Sequence, residues 1–292
     1  MPVFSGVWTA IVTPFKDGVL DENTFERHVE FQVAGGVDGI MPASTTSEAI
    51  TMSREERLRE IELAIKFAKG RIGVIAGTGS SNTAEVIAFT REVEKLGVQG
   101  CLVNTPAYNK PSQEGLFQHF KAIAAATKLP VMVYNVPSRS VVNLLPETVA
   151  RIADACPNVV AIKEASGNIV QISNVKRLAP RIDLLSGDDG MTLPVLVVGG
   201  VGIVSVLSNV VPKQIGEVIK LYNKGDLTGA RKVHERLLPL FDAMFAETSP
   251  SPVKYAASKL GFGDGSVRLP LVPCTEPLRK KIDAILKDLG LL

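Results

Sequence analysis

The sequence predicts an α/β fold, a (β/α)8 TIM barrel over residues 1–225 followed by a C-terminal helical region over residues 226–292. Short runs of β-branched and other apolar residues recur at a spacing of roughly 28 residues, and an amphipathic helical stretch follows each, which is typical of βα units. With 292 residues, 46% of them hydrophobic, the chain is long and apolar enough for a barrel of about 250 residues plus an appended region.

Eight strands are predicted before the helical region. They are Trp8–Val12, Gly39–Pro42, Ile72–Gly77, Gly100–Asn104, Val131–Asn135, Val159–Lys163, Asp183–Ser186 and Gly202–Val206. Helix starts lie between them, because Ser53 and Glu56 form an S-x-x-E capping box and Asn82 is a favoured N-cap residue. From about Pro212 only helices are predicted, and the turn at Gly225-Asp226 is the predicted boundary.

Residues 190–212 carry no charge and reach the length of a membrane-spanning helix, about twenty residues. Pro194, the pair Gly199-Gly200 and Asn209 interrupt this segment. We therefore predict a buried helix and a buried strand in place of a membrane span.

Charge and composition exclude several classes of partner. The 32 Lys and Arg residues against 30 Asp and Glu leave a formal net charge of +2, which offers no surplus for nucleic acid or an anionic membrane. Three separated cysteines argue against disulfides, and the N-terminus lacks a signal-peptide pattern, so we expect a cytoplasmic protein. The three histidines fall in separate helical stretches, where we expect solvated or half-buried side chains. We expect neither a metal nor a cofactor, and a small ligand.

Polar residues follow the predicted strand ends, where the active site of such a barrel forms. Lys163 ends an apolar run, and burial there lowers the pKa of its ammonium, which makes the amine a nucleophile able to form a Schiff base with a ketone. Tyr134 and Tyr108 carry hydroxyls that can transfer protons. The Thr45-Thr46 turn can hold one carboxylate, and the bidentate fork of Arg139 can hold a second. Each of these residues alone is a weak signal, because a lysine or a tyrosine at a strand end is often an ordinary rim residue. Together they indicate Schiff-base chemistry.

Four motifs make the sequence similar to the dihydrodipicolinate synthase family over essentially the whole chain. They are Tyr134-Asn135-Val136-Pro137-Ser138-Arg139, Ile162-Lys163-Glu164-Ala165, Leu185-Ser186-Gly187-Asp188-Asp189 and Tyr108-Asn109-Lys110-Pro111-Ser112-Gln113-Glu114-Gly115. The resemblance implies a lyase of the class I aldolase type. Such an enzyme condenses pyruvate with L-aspartate 4-semialdehyde in diaminopimelate and lysine biosynthesis, usually as a homotetramer built from two dimers.

The resemblance also implies the catalytic roles. Lys163 would form the pyruvate Schiff base, while Tyr134, Thr45 and a Tyr108 from a neighbouring subunit would relay protons. Within the same superfamily, N-acetylneuraminate lyase and keto-acid dehydratases share the lysine and the tyrosine, so these are alternatives. A barrel that binds a keto acid without turnover is another. Arg139 favours condensation, because it suits a short substrate that ends in a carboxylate.

The resemblance also implies four substrate-binding residues. Arg139 would bind the carboxylate of the aldehyde substrate, and Thr46 would help to hold that of pyruvate. Gly187 and the backbone of Val204 would line the pocket.

The sequence departs from the family pattern in two places that bear on the predicted function. The pyruvate loop, usually Gly-Thr-Thr-Gly-Glu, reads Ser44-Thr45-Thr46-Ser47-Glu48, and a serine strains the turn if either position needs positive φ.

The second departure lies at the regulatory lysine site. There, Arg54, Arg57 and Ala107 replace the expected residues and only Glu85 remains. Because arginine repels a lysine ammonium, we predict weak or absent inhibition by lysine.

Overall fold

The computed structural model of the protein describes residues 2–292 and contains a closed barrel of parallel strands. The strands of the described chain are β1 (Gly6–Thr9), β2 (Phe15–Lys16), β3 (Val19–Leu20), β4 (Gly39–Ile40), β5 (Gly73–Gly77), β6 (Gly100–Asn104), β7 (Val131–Asn135), β8 (Val159–Glu164), β9 (Asp183–Ser186) and β10 (Gly202–Ser205). The hydrogen-bonded order β1-β10-β9-β8-β7-β6-β5-β4 closes the barrel, and β2 and β3 form a separate antiparallel hairpin. The predicted (β/α)8 barrel is confirmed.

Helices follow the barrel strands and make up the C-terminal region. Within residues 2–292 they are α1 (Glu22–Gly35), α2 (Arg54–Ala68), α3 (Thr83–Lys95), α4 (Gln113–Ala125), α5 (Pro137–Ser140), α6 (Pro146–Ala155), α7 (Ile169–Leu178), α8 (Thr192–Val197), α9 (Pro212–Asn223), α10 (Leu227–Phe245), α11 (Ser251–Lys259) and α12 (Glu276–Asp288). The capping box at Ser53 and the Asn82 cap are both present. Gly225 lies between α9 and α10, and a domain boundary there stays a prediction.

Two compact units divide the chain. One comprises the residues up to Gly6 with Ile75–Val204, and the other comprises Val7–Val74 with Ser205–Leu292. Each has its own buried apolar side chains, such as Met132 and Ile162 in the first unit. Phe25, Ile61 and Leu240 are examples from the second.

The uncharged segment forms α8 and β10, as predicted, and Val195, Leu196 and Ile203 within it are buried. No helix within residues 2–292 has the length and apolar character that a membrane crossing requires. The first strand differs from its prediction, because it ends at Thr9 and not at Val12. The amide of Val12 donates to the Asn209 side chain at 3.0 Å, so a side chain replaces a strand partner there.

Two histidines are buried, contrary to the predicted solvated or half-buried positions. His28 is 0% exposed on α1, on the same buried face as Phe25 and Val29, and its Nε2 lies 3.0 Å from the carbonyl oxygen of Asn209. His119 on α4 is 5% exposed, and its Nδ1 lies 2.8 Å from the Thr83 hydroxyl. Burial lowers the pKa of each imidazole to about 4.

Candidate active site

The neighbouring strands β7 and β8 bring the predicted nucleophile and its proton donor side by side. Tyr134 on β7 is paired in register with Lys163 on β8. A bulge sets this register: Val131 pairs with Val159 but Met132 pairs with Ala161, so β8 has one extra residue at Val160. Side chains alternate along a strand, and from the bulge onward the two strands place Tyr134 and Lys163 on the same face.

Lys163 is a buried lysine near the end of β8. Its side chain is 4% exposed, and its Nζ lies 4.1 Å from the centre of the Tyr134 ring. The pKa of the ammonium falls to about 7, chiefly because of burial. The nearby charge of Arg139 acts in the same direction, while Asp189 and Asp188 oppose the change. A large fraction of Lys163 is therefore the neutral, nucleophilic amine at neutral pH.

Tyr134 keeps its proton in this site. It is 6% exposed, and burial raises the pKa of its phenol to about 12, although the positive charge of Arg139 acts in the opposite direction. The hydroxyl can consequently donate a proton to an oxygen that becomes basic during the reaction and take it back afterwards.

Arg139 lies one turn after the end of β7. Pro137 occupies the first turn of the short helix α5, and Arg139 is in its last turn with an exposed side chain. Its charge affects the pKa values of both Lys163 and Tyr134, which places a guanidinium within electrostatic range of the reacting groups. This is a suitable position for binding the carboxylate of a small substrate.

Gly187 follows β9 and packs against the stem of Lys163. A Cβ at this position would lie 3.0 Å from Cγ and 3.1 Å from Cε of Lys163, and 2.8 Å from Cβ of Ala165. Its amide donates to the carbonyl oxygen of Glu164 at 2.8 Å. Any larger residue would push the lysine side chain away, so the absence of a side chain here helps to set the position of the amine.

A polar network behind the two strands was not foreseen from the sequence. Glu164 and Asn135 are the residues next to Lys163 and Tyr134, they pair in register, and they point to the opposite face. The Asn135 amide donates to both carboxylate oxygens of Glu164, at 3.2 and 3.0 Å, and the amide of Ser166 donates at 2.7 Å. Burial raises the pKa of Glu164. The motifs contain these residues, but only the strand register reveals their contact.

The loop that resembles a pyruvate loop lies in the second compact unit. Thr45 is exposed and Thr46 is buried. Left-handed φ angles in this described stretch occur at Ala43 (53°) and Glu48 (60°), and not at the two serines.

The serines therefore do not strain the loop, and each makes a hydrogen bond of its own. Ser44 donates to the carbonyl oxygen of Met41 at 3.1 Å, and Ser47 donates to that of Ile11 at 2.8 Å. A serine would strain this turn only if its position needed a positive φ, and neither position 44 nor position 47 has one.

The remaining predicted residues have varied surroundings. Val204 is fully buried in β10, whereas Tyr108 is 95% exposed and has a φ of 73°. Glu85 is exposed at the start of α3 and accepts a hydrogen bond from Ser80 at 3.1 Å.

Two further residues from the lysine-site prediction also have described positions. The carbonyl oxygen of Ala107 accepts from Ser81 at 2.9 Å. Arg54 and Arg57 lie in the first turn of α2, in the other unit.

Comparisons with known proteins show the family to which the chain belongs. Residues 3–289 match the model of the Dihydrodipicolinate synthetase family. A 4-hydroxy-tetrahydrodipicolinate synthase from Endomicrobium trichonymphae is 48% identical over 290 residues, covering 99% of this chain and 100% of that protein.

Solved structures are similar along the whole fold. The dihydrodipicolinate synthase of Thermotoga maritima has a TM-score of 0.97 at 45% identity, with 99% of this chain and 100% of that chain covered. A chloride-inhibited dihydrodipicolinate synthase of Acinetobacter baumannii, complexed with pyruvate, has a TM-score of 0.96 at 39% identity, with 99% of each chain covered. With its barrel, its buried lysine and a match that spans nearly every residue, the chain belongs to the Dihydrodipicolinate synthetase family.

Proposed function

We propose that this chain catalyses the 4-hydroxy-tetrahydrodipicolinate synthase reaction, in which pyruvate, held as a Schiff base on Lys163, condenses with L-aspartate 4-semialdehyde. The observation that carries the proposal is the buried Lys163 amine, with a pKa of about 7, beside the Tyr134 ring at 4.1 Å. Family membership supplies the substrate pair, because relatives that match over the full chain bear the synthase name.

The residues account for the first half of the reaction. The neutral Lys163 amine attacks the keto carbon of pyruvate and forms a carbinolamine, and Tyr134 donates a proton to the hydroxyl, which leaves as water. The resulting iminium draws electrons from the neighbouring methyl group, which loses a proton to give an enamine. Lys163 thus converts a weakly acidic methyl group into a carbon nucleophile.

The second half joins the two substrates. The enamine carbon bonds to the aldehyde carbon of the semialdehyde, and the aldehyde oxygen takes up a proton. The amino group of the semialdehyde then attacks the former keto carbon, closes the ring and releases Lys163. Arg139 would hold the carboxylate of the semialdehyde during these steps. Three further roles follow from the family resemblance alone and stay predictions. They are the proton relay through Thr45, the binding of the pyruvate carboxylate by Thr46 and the lining of the pocket by the backbone of Val204.

Borohydride reduction in the presence of pyruvate tests the Schiff base. Mass spectrometry of the digested protein should show reduced pyruvate on the peptide that contains Lys163, and none in Lys163→Ala. Consumption of L-aspartate 4-semialdehyde should require pyruvate and be lost in the same variant. Trapping without condensation would point to another aldehyde or to a lyase for sugar acids. Failure to trap pyruvate would contradict the proposal and favour a barrel that only binds keto acids.

We also propose that the chain acts as a homotetramer in which Tyr108 serves the site of a neighbouring subunit. A tyrosine that is 95% exposed with a left-handed backbone is a costly arrangement for an isolated surface, and a partner subunit would explain it. Mixing inactive Tyr108→Phe with inactive Lys163→Ala should restore activity, because a hybrid pair contains one site with both intact residues. Mixtures as inactive as their components would contradict this role.

A further inference from the structure

The second compact unit contains a buried ion pair that the proposed reaction does not use. Glu48, the last residue of the Ser44–Glu48 loop, is 3% exposed, and Lys254 on α11 is also 3% exposed. The Lys254 Nζ lies 2.5 Å from Oε1 of Glu48. The backbone amide of Arg268 donates to Oε2 of the same carboxylate at 2.8 Å. Both carboxylate oxygens are therefore bound by groups from the C-terminal part of the chain.

An aromatic ring and a second ion pair surround this contact. The Nζ of Lys254 and the Cζ of Arg268 each lie 4.2 Å from the centre of the Phe15 ring. The Arg268 guanidinium also bonds the Glu56 carboxylate, at 2.5 and 2.8 Å. Burial lowers the pKa of Lys254, and the Glu48 charge opposes this change. Such a pair stabilises a fixed geometry more than it stabilises the fold, because desolvation offsets much of the attraction.

The same loop is also held at its beginning. The amide of Ala43 donates to Oε2 of the buried Glu60 at 2.8 Å, and the Thr13 hydroxyl donates to the carbonyl oxygen of Ser47 at 2.8 Å. A buried carboxylate thus holds each of the two residues with left-handed φ. For Ala43 it is the side chain of Glu60, and for Glu48 it is the residue's own side chain. Thr45 and Thr46 lie between these two anchored positions.

We propose that Glu48 and Lys254 are positioning residues that hold the Thr45-Thr46 turn in the conformation that binds the carboxylate of pyruvate. This inference rests on the proposed function, since it assigns the turn to pyruvate. Neither residue needs to touch the substrate. The left-handed backbone of Glu48 is unfavourable for a residue with a side chain, and the ion pair offsets that cost in the folded protein.

Glu48→Gln is the sharpest test, because it keeps the shape of the side chain and removes its charge. The amide oxygen can still accept from the Arg268 backbone, while the NH2 group can donate to Lys254 once that amine is neutral. The variant should fold, since Lys254 can become neutral when its partner does. The initial rate of borohydride trapping would be measured against pyruvate concentration. Loss of a charge-assisted hydrogen bond predicts an increase of about tenfold or more in the pyruvate concentration for half-maximal trapping. The KM for the aldehyde and kcat at saturating pyruvate should change far less.

Two further variants make the result decisive. The double variant Glu48→Gln/Lys254→Met removes both charges at similar volume and should show the same pyruvate defect with a cooperative unfolding transition. Tyr255→Phe is the matched control on the same helix: it removes the hydrogen bond to Asp283, 3.0 Å long, and should leave the pyruvate curve unchanged.

The possible failures can be told apart. Absence of trapping in the wild-type protein would refute the proposed function itself. Normal trapping in the wild type, with an unchanged pyruvate curve in Glu48→Gln or in the folded double variant, would overturn the positioning role alone. Equal increases in the KM values of both substrates would also overturn it, because they would indicate a general structural defect.

Discussion

Replacing Lys163 by methionine should abolish the Schiff base and make the protein more stable. Burial of this amine lowers its pKa from 10.5 to about 7. At about 1.4 kcal/mol per pKa unit, the charged lysine lowers the free energy of unfolding by about 5 kcal/mol at low pH. The unfolded chain binds the proton more tightly, so wild-type stability rises with pH between 7 and 10.5. Methionine has similar length and no charge to desolvate.

The advantage of Lys163→Met should consequently shrink as the pH rises, by about 2 kcal/mol between pH 7 and pH 9. Reversible denaturant unfolding of wild type and variant at several pH values would measure this difference. Lys232→Met, at an exposed position on α10, controls for the loss of a lysine in general. An advantage that is constant or that grows with pH would refute the conclusion that burial is what lowers the pKa of Lys163.

Three other predictions follow from the same structure. The imidazole of His119 has a pKa of about 4 in the folded protein, so the unfolded chain binds a proton more tightly than the folded protein does between pH 6.5 and pH 4. Acidification over this range should lower the free energy of unfolding of the wild type by about 3 kcal/mol more than that of His119→Gln. Equal losses in denaturation experiments would contradict this. Gly187→Ala should slow borohydride trapping by about tenfold or more, because its Cβ would displace the Lys163 stem; trapping at the wild-type rate would show that the stem adapts. Lysine should inhibit the enzyme weakly or not at all, because Arg54 and Arg57 at the predicted regulatory site would repel its ammonium. Half-maximal inhibition at low lysine concentration in a rate assay would refute this.

The barrel and the burial of Lys163 could be predicted because short stretches of sequence encode them. The apolar run before Lys163 forms most of β8, which ends at Glu164, one residue after Lys163. The Ser53 capping box depends on residues three apart, and it is present. The lowered pKa of Lys163 also needs only burial, which the apolar run already indicates.

Contacts between distant residues could not be predicted in this way. Glu48 and Lys254 are 206 positions apart, and nothing in either local sequence indicates that they meet. The partnership of Asn135 with Glu164 depends on strand register. His28 was expected nearer to solvent because a histidine on an amphipathic helix is compatible with either face, and only packing selects one.

The serines of the Ser44–Glu48 loop illustrate a different difficulty. A glycine in a family pattern suggests positive φ, but the left-handed residues here are Ala43 and Glu48. Positions 44 and 47 therefore accept a small side chain and do not need the backbone freedom of glycine. The serine hydroxyls there donate to the carbonyl oxygens of Met41 and Ile11.

The bulge at Val160 separates two kinds of evolutionary change in β8. Substitutions among its apolar residues alter the size of side chains and leave their direction unchanged. Loss of one residue between Val160 and Lys163 would present Glu164 where the amine now lies, because side-chain direction has a period of two. Gain of one residue there would likewise turn Lys163 to the other face of the strand. Related sequences can therefore vary the apolar residues of this strand, provided that they preserve the number of residues between the bulge and Lys163.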